Sequence, residues 1–271
     1  MPRDLADVAD YFLPRTASAQ RTPTAAEAAG ARPSAPVRAA RPAALPIVAL
    51  PVGERDVVRA AFVWNLAVEI ARLGASATLV APSPPEPSPV WPEAGLGPVG
   101  AEVVLTPADG LAQLHRAALD LAVARAADSA EGGLVLVCVP PGWLGRAADG
   151  RGLLRWVLLF ASTERADLLE TYGLAKRVLA ASHEARVGVT IHGARRVAEA
   201  QGAFLHLASV AARHLGRELA SYGLLVDDLH IYRAIVSRRP IGLEHPQSRA
   251  ARALRDVARL LLEDARKMSL A

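Results

Sequence analysis

The segment GERDVVRAA, Gly53 to Ala61, lies between the apolar run Leu45 to Leu50 and a helical stretch that begins near Val57. A nucleotide-binding α/β protein places its phosphate loop at such a strand-to-helix passage. A loop that cradles phosphates needs glycines so that backbone amides can close on the ligand, a lysine for charge, and a Ser or Thr hydroxyl for magnesium. Of these Gly53 alone is present, and acids and branched side chains fill the remaining positions. The other chemistry-bearing residues are sparser. Among seven histidines none stands at helix-pair spacing beside an acid, and His206 and His214 are eight apart, which predicts no metal site. Ser162, Thr163 and Glu164 lack a Gly-x-Ser-x-Gly frame and read as a helix cap. The single cysteine, Cys138, excludes an internal disulfide framework and reads as a small buried side chain at a strand end.

The elements that must hold these residues are short aliphatic runs separated by helical segments. The runs are 46–50, 76–81, 102–106, 134–139, 155–161, 187–191 and 222–226. Continuous rather than alternating hydrophobicity predicts strands covered on both faces. Between them, Thr106-Pro107-Ala108-Asp109 predicts a helix through about Ala127 with proline in its first turn. A second helix is predicted with Val197, Phe204, Leu205, Ala208, Ala211, Ala212 and Leu215 on one face and a stop at Gly216. Asp227-Asp228 follows the last strand, where an acid can cap the next helix. The pattern is a repeated βαβ, so the expected fold is a three-layer, doubly wound α/β domain over residues 45–271, with a mainly parallel sheet of seven or eight strands.

Residues 15–44 are rich in Ala, Pro, Ser and Thr, and Val37 is their sole large aliphatic, which predicts a disordered linker. Ahead of it, residues 1–14 form a short amphipathic helix motif in which Leu5, Val8, Phe12 and the neighbouring Leu13 share an apolar face before Pro14. Such a motif is either a docking helix for a partner or a piece that packs on its own domain. At the other end, Leu254, Val257, Ala258, Leu261, Leu262 and Ala265 share a face, with arginines and Lys267 around it. That helix either closes the domain edge or lies on an anionic membrane through residues 249–267. The net charge of +4 is scattered among 27 acids rather than gathered in a block, which argues against specific nucleic-acid binding. No apolar run approaches the length of a membrane span and no secretory leader is legible, so the expected location is cytoplasmic, with peripheral contact to the inner membrane as the alternative.

Four segments together resemble the ParA/MinD type of P-loop ATPase, most of all flagellar-number regulators of the FlhG type. They are GERDVVRAAFVWNLAVEIARLGASATLVAPSP, with Asn65, Leu66 and Ala67; LVLVCVPPG; ASTERADLLETYGLAKRVL, with Tyr172 and Lys176; and GLLVDDLHIYRAIVSRRPI. The resemblance spans roughly residues 46–265. It implies that the lysine which crosses a dimer interface falls on Glu54, and the loop glycines on Arg55, Asp56 and Val58. The phosphate lysine falls on Arg59, which differs from lysine in reach and shape, and the magnesium-binding threonine falls on Ala60. The water-activating and switch aspartates fall on Ala81 and Ser83, the third-motif aspartate on Cys138, and the base-reading asparagine near His192 or Thr190. A hard cation wants oxygen ligands, which alanine and cysteine do not supply.

Phosphoryl transfer is positioning and charge neutralisation by these parts, so their joint loss predicts a pseudo-ATPase with no cofactor: neither ATP nor magnesium is expected to bind. The expected role is a protein-binding regulatory or scaffold module in the spatial positioning of a cellular machine. Its partner would be an active relative, a second copy, or a protein captured by residues 4–13. The alternatives are a weakly active ATPase of the same family, or a peripheral membrane or DNA-binding module.

Overall fold

The computed structural model describes residues 44–53, 55–83, 94–129, 131–146 and 149–270. The predicted N-terminal helix motif, the linker 15–43 and Glu54 lie outside the described residues. Eight strands form one sheet: β1 (Ile47–Pro51), β2 (Ser76–Pro82), β3 (Gly95–Leu96), β4 (Glu102–Thr106), β5 (Gly133–Val139), β6 (Trp156–Ser162), β7 (Arg186–Ala194) and β8 (Ala220–Val226). Their order is β3-β4-β2-β5-β1-β6-β7-β8, parallel throughout except where β3 pairs antiparallel with β4. Every predicted aliphatic run is a strand. β5 shows why they are continuous, since all seven of its residues are buried and helices must therefore cover both faces.

Among the described residues seven α-helices flank the sheet: α1 (Val57–Arg72), α2 (Leu111–Asp128), α3 (Arg165–Ala181), α4 (Val197–Leu215), α5 (Leu229–Ser237), α6 (Ile241–Glu244) and α7 (Arg249–Leu270). α1 and α7 pack on each other, while α2, α3 and α4 pack on β5, β6 and β7 respectively.

Two helices differ from expectation. α2 begins at Leu111, after Gly110, and not at Thr106. Thr106 is the last rung of β4 and its carbonyl accepts the amide of Ser83, so it is unavailable to open a helix. α4 ends at Gly216 as predicted, with φ +64° in the left-handed region that glycine tolerates. Its buried line, however, is Ala200, Phe204, Leu207 and Ala211, leaving Leu205 exposed, one helical step beside Phe204.

The C-terminal helix closes the domain. Leu254, Val257, Ala258, Leu261, Leu262 and Ala265 are all buried, so the apolar face that a membrane would need is consumed inside the fold. Among the described residues no helix is long and apolar enough to cross a membrane.

α1 is tied to α6 and α7 by polar groups. Asn65 is buried and accepts the Ile241 amide at 2.7 Å, which satisfies one of the free N–H groups at the start of α6. Glu69, 1% exposed, accepts from Arg72 at 2.6 Å and from Arg255 of α7 at 3.1 Å. Gly242 lies directly against the Glu69 carboxylate, and a Cβ there would overlap it. At the far sheet edge Trp156 donates to the Tyr222 hydroxyl at 3.1 Å, which donates to Asp264 of α7 at 2.7 Å. Burial, with the negative charge of Asp264 beside it, pushes the Tyr222 phenol up, so it remains a donor at neutral pH.

Candidate functional site

The connections leaving the sheet diverge between its two central neighbours. From β1 the chain passes through α1 to β2 on one side, whereas from β6 it passes through α3 to β7 on the other. The carboxyl ends of β1 and β6 therefore border the crevice where doubly wound folds bind ligands. An open cavity of about 210 Å³ lies there, lined by Asp56, Val58, Arg59, Asp167, Glu170 and His192.

The chain supplies these residues from three places. Asp56 is the N-cap of α1, and its carboxylate accepts the Arg59 amide at 3.0 Å because the first helical N–H groups have no partner within the helix. Asp167 and Glu170, three residues apart in the first turns of α3, share a face. His192 comes from the end of β7, beside Ser162 in register, with its ring 5.1 Å from that of Phe62.

The centre of the arrangement is Arg59, 7% exposed. Its guanidinium donates to Asp56 at 2.9 Å, to Glu170 at 3.3 Å and to Asp167. Burial alone would lower its pKa, but Asp167, Asp56 and Glu170 outweigh that and hold it above the ordinary value. Asp167 also accepts the Ser162 amide and lies 3.6 Å from His192 Nε2. Burial lowers the His192 pKa; Asp167 opposes the shift and Arg59 adds to it, so the imidazole is neutral at pH 7. Three carboxylates thus face one guanidinium and a neutral histidine, leaving two negative charges in excess. The guanidinium is engaged by three carboxylates of its own chain, and the cavity around it is acidic.

The residues singled out in the sequence separate in the fold. Asp56, Val58, Arg59 and His192 reach the cavity. Ala60, Ala81 and Cys138 are core residues, and burial pushes the Cys138 thiol up, so it is an un-ionised packing group. Ser83 is exposed beyond the end of β2, and Thr190 is buried in β7. Gly53 accepts the Asp56 amide in the turn before α1, but its φ is not left-handed and an added Cβ would meet nothing nearer than Asp56 Cβ at 3.8 Å, so the turn does not require glycine.

Sequence reasoning missed Asp167 and Glu170; the only signal was a pair of acids at i, i+3 just past a strand end. The predicted Ser162–Glu164 cap is replaced by Asp167 reaching back to the Ser162 amide, while Ser162 Oγ accepts the Glu164 amide at 3.2 Å. Asp228 does cap α5, accepting the His230 amide at 3.0 Å, and it also accepts the Ala250 amide of α7 at 3.2 Å. Among the described residues no group of three or more His, Cys, Asp or Glu side chains is arranged to hold a metal ion.

No family model matches the chain, and no curated protein does. Solved structures do match. MinD from Aquifex aeolicus, alone and in its MinC:MinD complex, aligns with TM-score 0.58 at 14% identity over 80% of this chain and 97% and 96% of those chains. The chain has the MinD/ParA fold. The septum site-determining protein MinD of Pyrococcus horikoshii OT3, complexed with Mg-ADP, matches with TM-score 0.57 at 13% identity, over 80% of this chain and 95% of that one. A ParA family ATPase from Chlorobium tepidum TLS matches with TM-score 0.51 at 12% identity, over 80% and 99%. Identities this low speak to architecture. In this MinD/ParA-like sheet the ion cluster around Arg59 stands at the first turn after β1.

Proposed function

We propose that the chain is a pseudo-ATPase: a MinD/ParA fold whose nucleotide crevice is lined by its own ion cluster, and which acts as a protein-binding regulatory or scaffold module. The observation that carries this reading is the pairing of Arg59 with Asp56, Asp167 and Glu170. A phosphate entering the cavity would have to displace those carboxylates while two uncompensated negative charges repel it. The helix N-terminus, which elsewhere favours anions, already has the Asp56 carboxylate on the amide of Arg59, the third residue of α1. Ala60 offers no hydroxyl and Cys138 is a buried thiol, so the oxygen ligands that magnesium requires are missing from the positions where the resemblance puts them.

A binding role is supported by the MinD neighbour whose structure is a complex with MinC. By analogy this chain would engage a protein partner through the surfaces around the crevice rather than through nucleotide.

Thermal unfolding with and without millimolar magnesium-ATP tests the proposal. A ligand at a hundred times its Kd stabilises the native state by about 2.7 kcal/mol, which is readily seen as a rise in Tm. The expected result is no rise and no phosphate release. A rise that disappears in Arg59→Ala would overturn the proposal in favour of an active nucleotide site.

A further inference from the structure

The crevice that repels phosphate is matched to a positive group. Its volume of about 210 Å³ is below the ~300–1,000 Å³ of clefts that enclose drug-sized ligands, so it suits one side chain rather than a nucleotide. Its carboxylates are not exhausted by Arg59. A carboxylate offers about four lone-pair sites, and the hydrogen bonds formed here take two on Asp56, two on Asp167 and one on Glu170. The wall contributed by β7 also has unused capacity. The neutral His192 ring forms no hydrogen bond among the described residues, its Nε2 lying 3.6 Å from Asp167 and outside hydrogen-bond range. Two residues away on the same face of that strand, the Thr190 hydroxyl is fully buried and has no partner among the described residues. Unfilled acceptors beside two excess negative charges call for a ligand that brings N–H donors and positive charge.

The pattern of occupied oxygens narrows the ligand. Asp56 and Asp167 each have both oxygens engaged, so neither presents the free edge that a bidentate guanidinium takes. An ammonium donates its three N–H groups singly and needs no such edge. A metal ion fits less well, since the acids and His192 are not arranged to hold one. The rim adds an apolar requirement: Val57, 42% exposed, and Leu169, 70% exposed, adjoin the lining residues Val58 and Glu170 in sequence. A free amine gains nothing from that rim, whereas a peptide with apolar neighbours does. We propose that the crevice receives the ammonium of a lysine side chain from a protein partner, whose flanking apolar residues rest on Val57 and Leu169. A second copy is a poorer source, because this chain's lysines, Lys176 and Lys267, each have an arginine as neighbour and Lys267 already lies 3.6 Å from Asp264. The inference rests on the pseudo-ATPase reading, since nucleotide and lysine would compete for one space.

Titration of the full chain with the capped tripeptide acetyl-Leu-Lys-Leu-amide tests this, followed by NMR at the His192 Cε1–H, which is assigned by its loss in His192→Gln. The expected result is a saturable shift at roughly millimolar peptide, with the norleucine analogue binding about tenfold more weakly. Glu170→Lys sets an ammonium of the chain's own at the crevice; the Glu170 side chain is 55% exposed, so the fold is kept, with Tm as the control. It should weaken the peptide about tenfold. No saturable shift in the parent, equal binding of the norleucine analogue, or binding that Glu170→Lys leaves unchanged would each overturn the inference. n-Butylamine binding as tightly as the peptide would assign the crevice to a free amine and overturn it equally. A shift that grows with protein concentration alone and is lost in Lys176→Gln would assign it to a second copy, with the same consequence. A rise in Tm with magnesium-ATP strikes the pseudo-ATPase reading as well; a failed lysine titration with no nucleotide effect strikes this inference alone.

Discussion

Helix α1 buries a cation near one end and an anion near the other, and the two sites are mirror images in charge. Arg59 is surrounded by the carboxylates of Asp56, Asp167 and Glu170; Glu69 is held by the guanidinium groups of Arg72 and Arg255. They differ in what lies beside them. Glu69 is sealed against Gly242, with no room for one further carbon, and its partners join α1 to α7. Arg59 borders an open cavity at the sheet's switch point, and its partners join α1 to α3. The same chemistry serves as a closed brace in one place and as the lining of a crevice in the other. Burial of charge alone therefore does not single out a candidate site; the open volume beside Arg59 does.

Three substitutions or conditions would break or sharpen this contrast. Glu69→Ala has the largest expected effect. It leaves two arginines without their buried carboxylate, which should cost about 3–5 kcal/mol in urea unfolding. A loss below about 1 kcal/mol would mean that the brace is not one.

Acidification should have an intermediate effect and act on the crevice. Because His192 titrates below its ordinary 6.5 in the fold, the unfolded chain binds more protons as the pH falls below 6.5. Stability should be complete above that value and decline as the pH falls from it through the folded pKa. His115, lowered by burial, adds a slope of the same sign, so His192→Gln should remove part of the slope, not all of it. An unchanged slope in that variant would place the titration elsewhere. Glu170→Gln should have the smallest effect. Its side chain is 55% exposed, so stability should stay within about 0.5 kcal/mol, while the negative excess of the cavity halves. A larger loss by chemical denaturation would show that the crevice cluster braces the fold as the Glu69 cluster does.

The sheet was legible because each strand is a continuous aliphatic run, and a strand buried on both faces admits little else. The start of α2 was not, since the Thr106 carbonyl is taken by the donating amide of Ser83, a long-range pairing with no local trace. Arg59 could be singled out from the loop that contains it. Its partners could not, because Asp167 and Glu170 lie 108 and 111 residues further on, and no local pattern gives the register of α1 against α3. Glu69 was missed for a related reason. A Glu–Arg pair at i, i+3 ordinarily lies on a solvated helix face, and only Arg255, 186 residues away, with Gly242 beside it, makes this one interior. The fate of the basic C-terminal helix was left open by its amphipathicity, which suits a membrane and a domain edge equally; contact with α1 and β8 decides it.

The reach of α7 back to α1 also fixes an order of events during synthesis. Strands β1 to β7 and the helices between them emerge from the ribosome before Arg255 and Asp264 do, so until then Glu69 has Arg72 alone and Tyr222, once made, lacks its acceptor. Contacts of such long sequence separation form late and slowly. The nascent chain must therefore keep an apolar sheet face waiting for its last described helix, and transiently exposed surface of that kind is prone to aggregate.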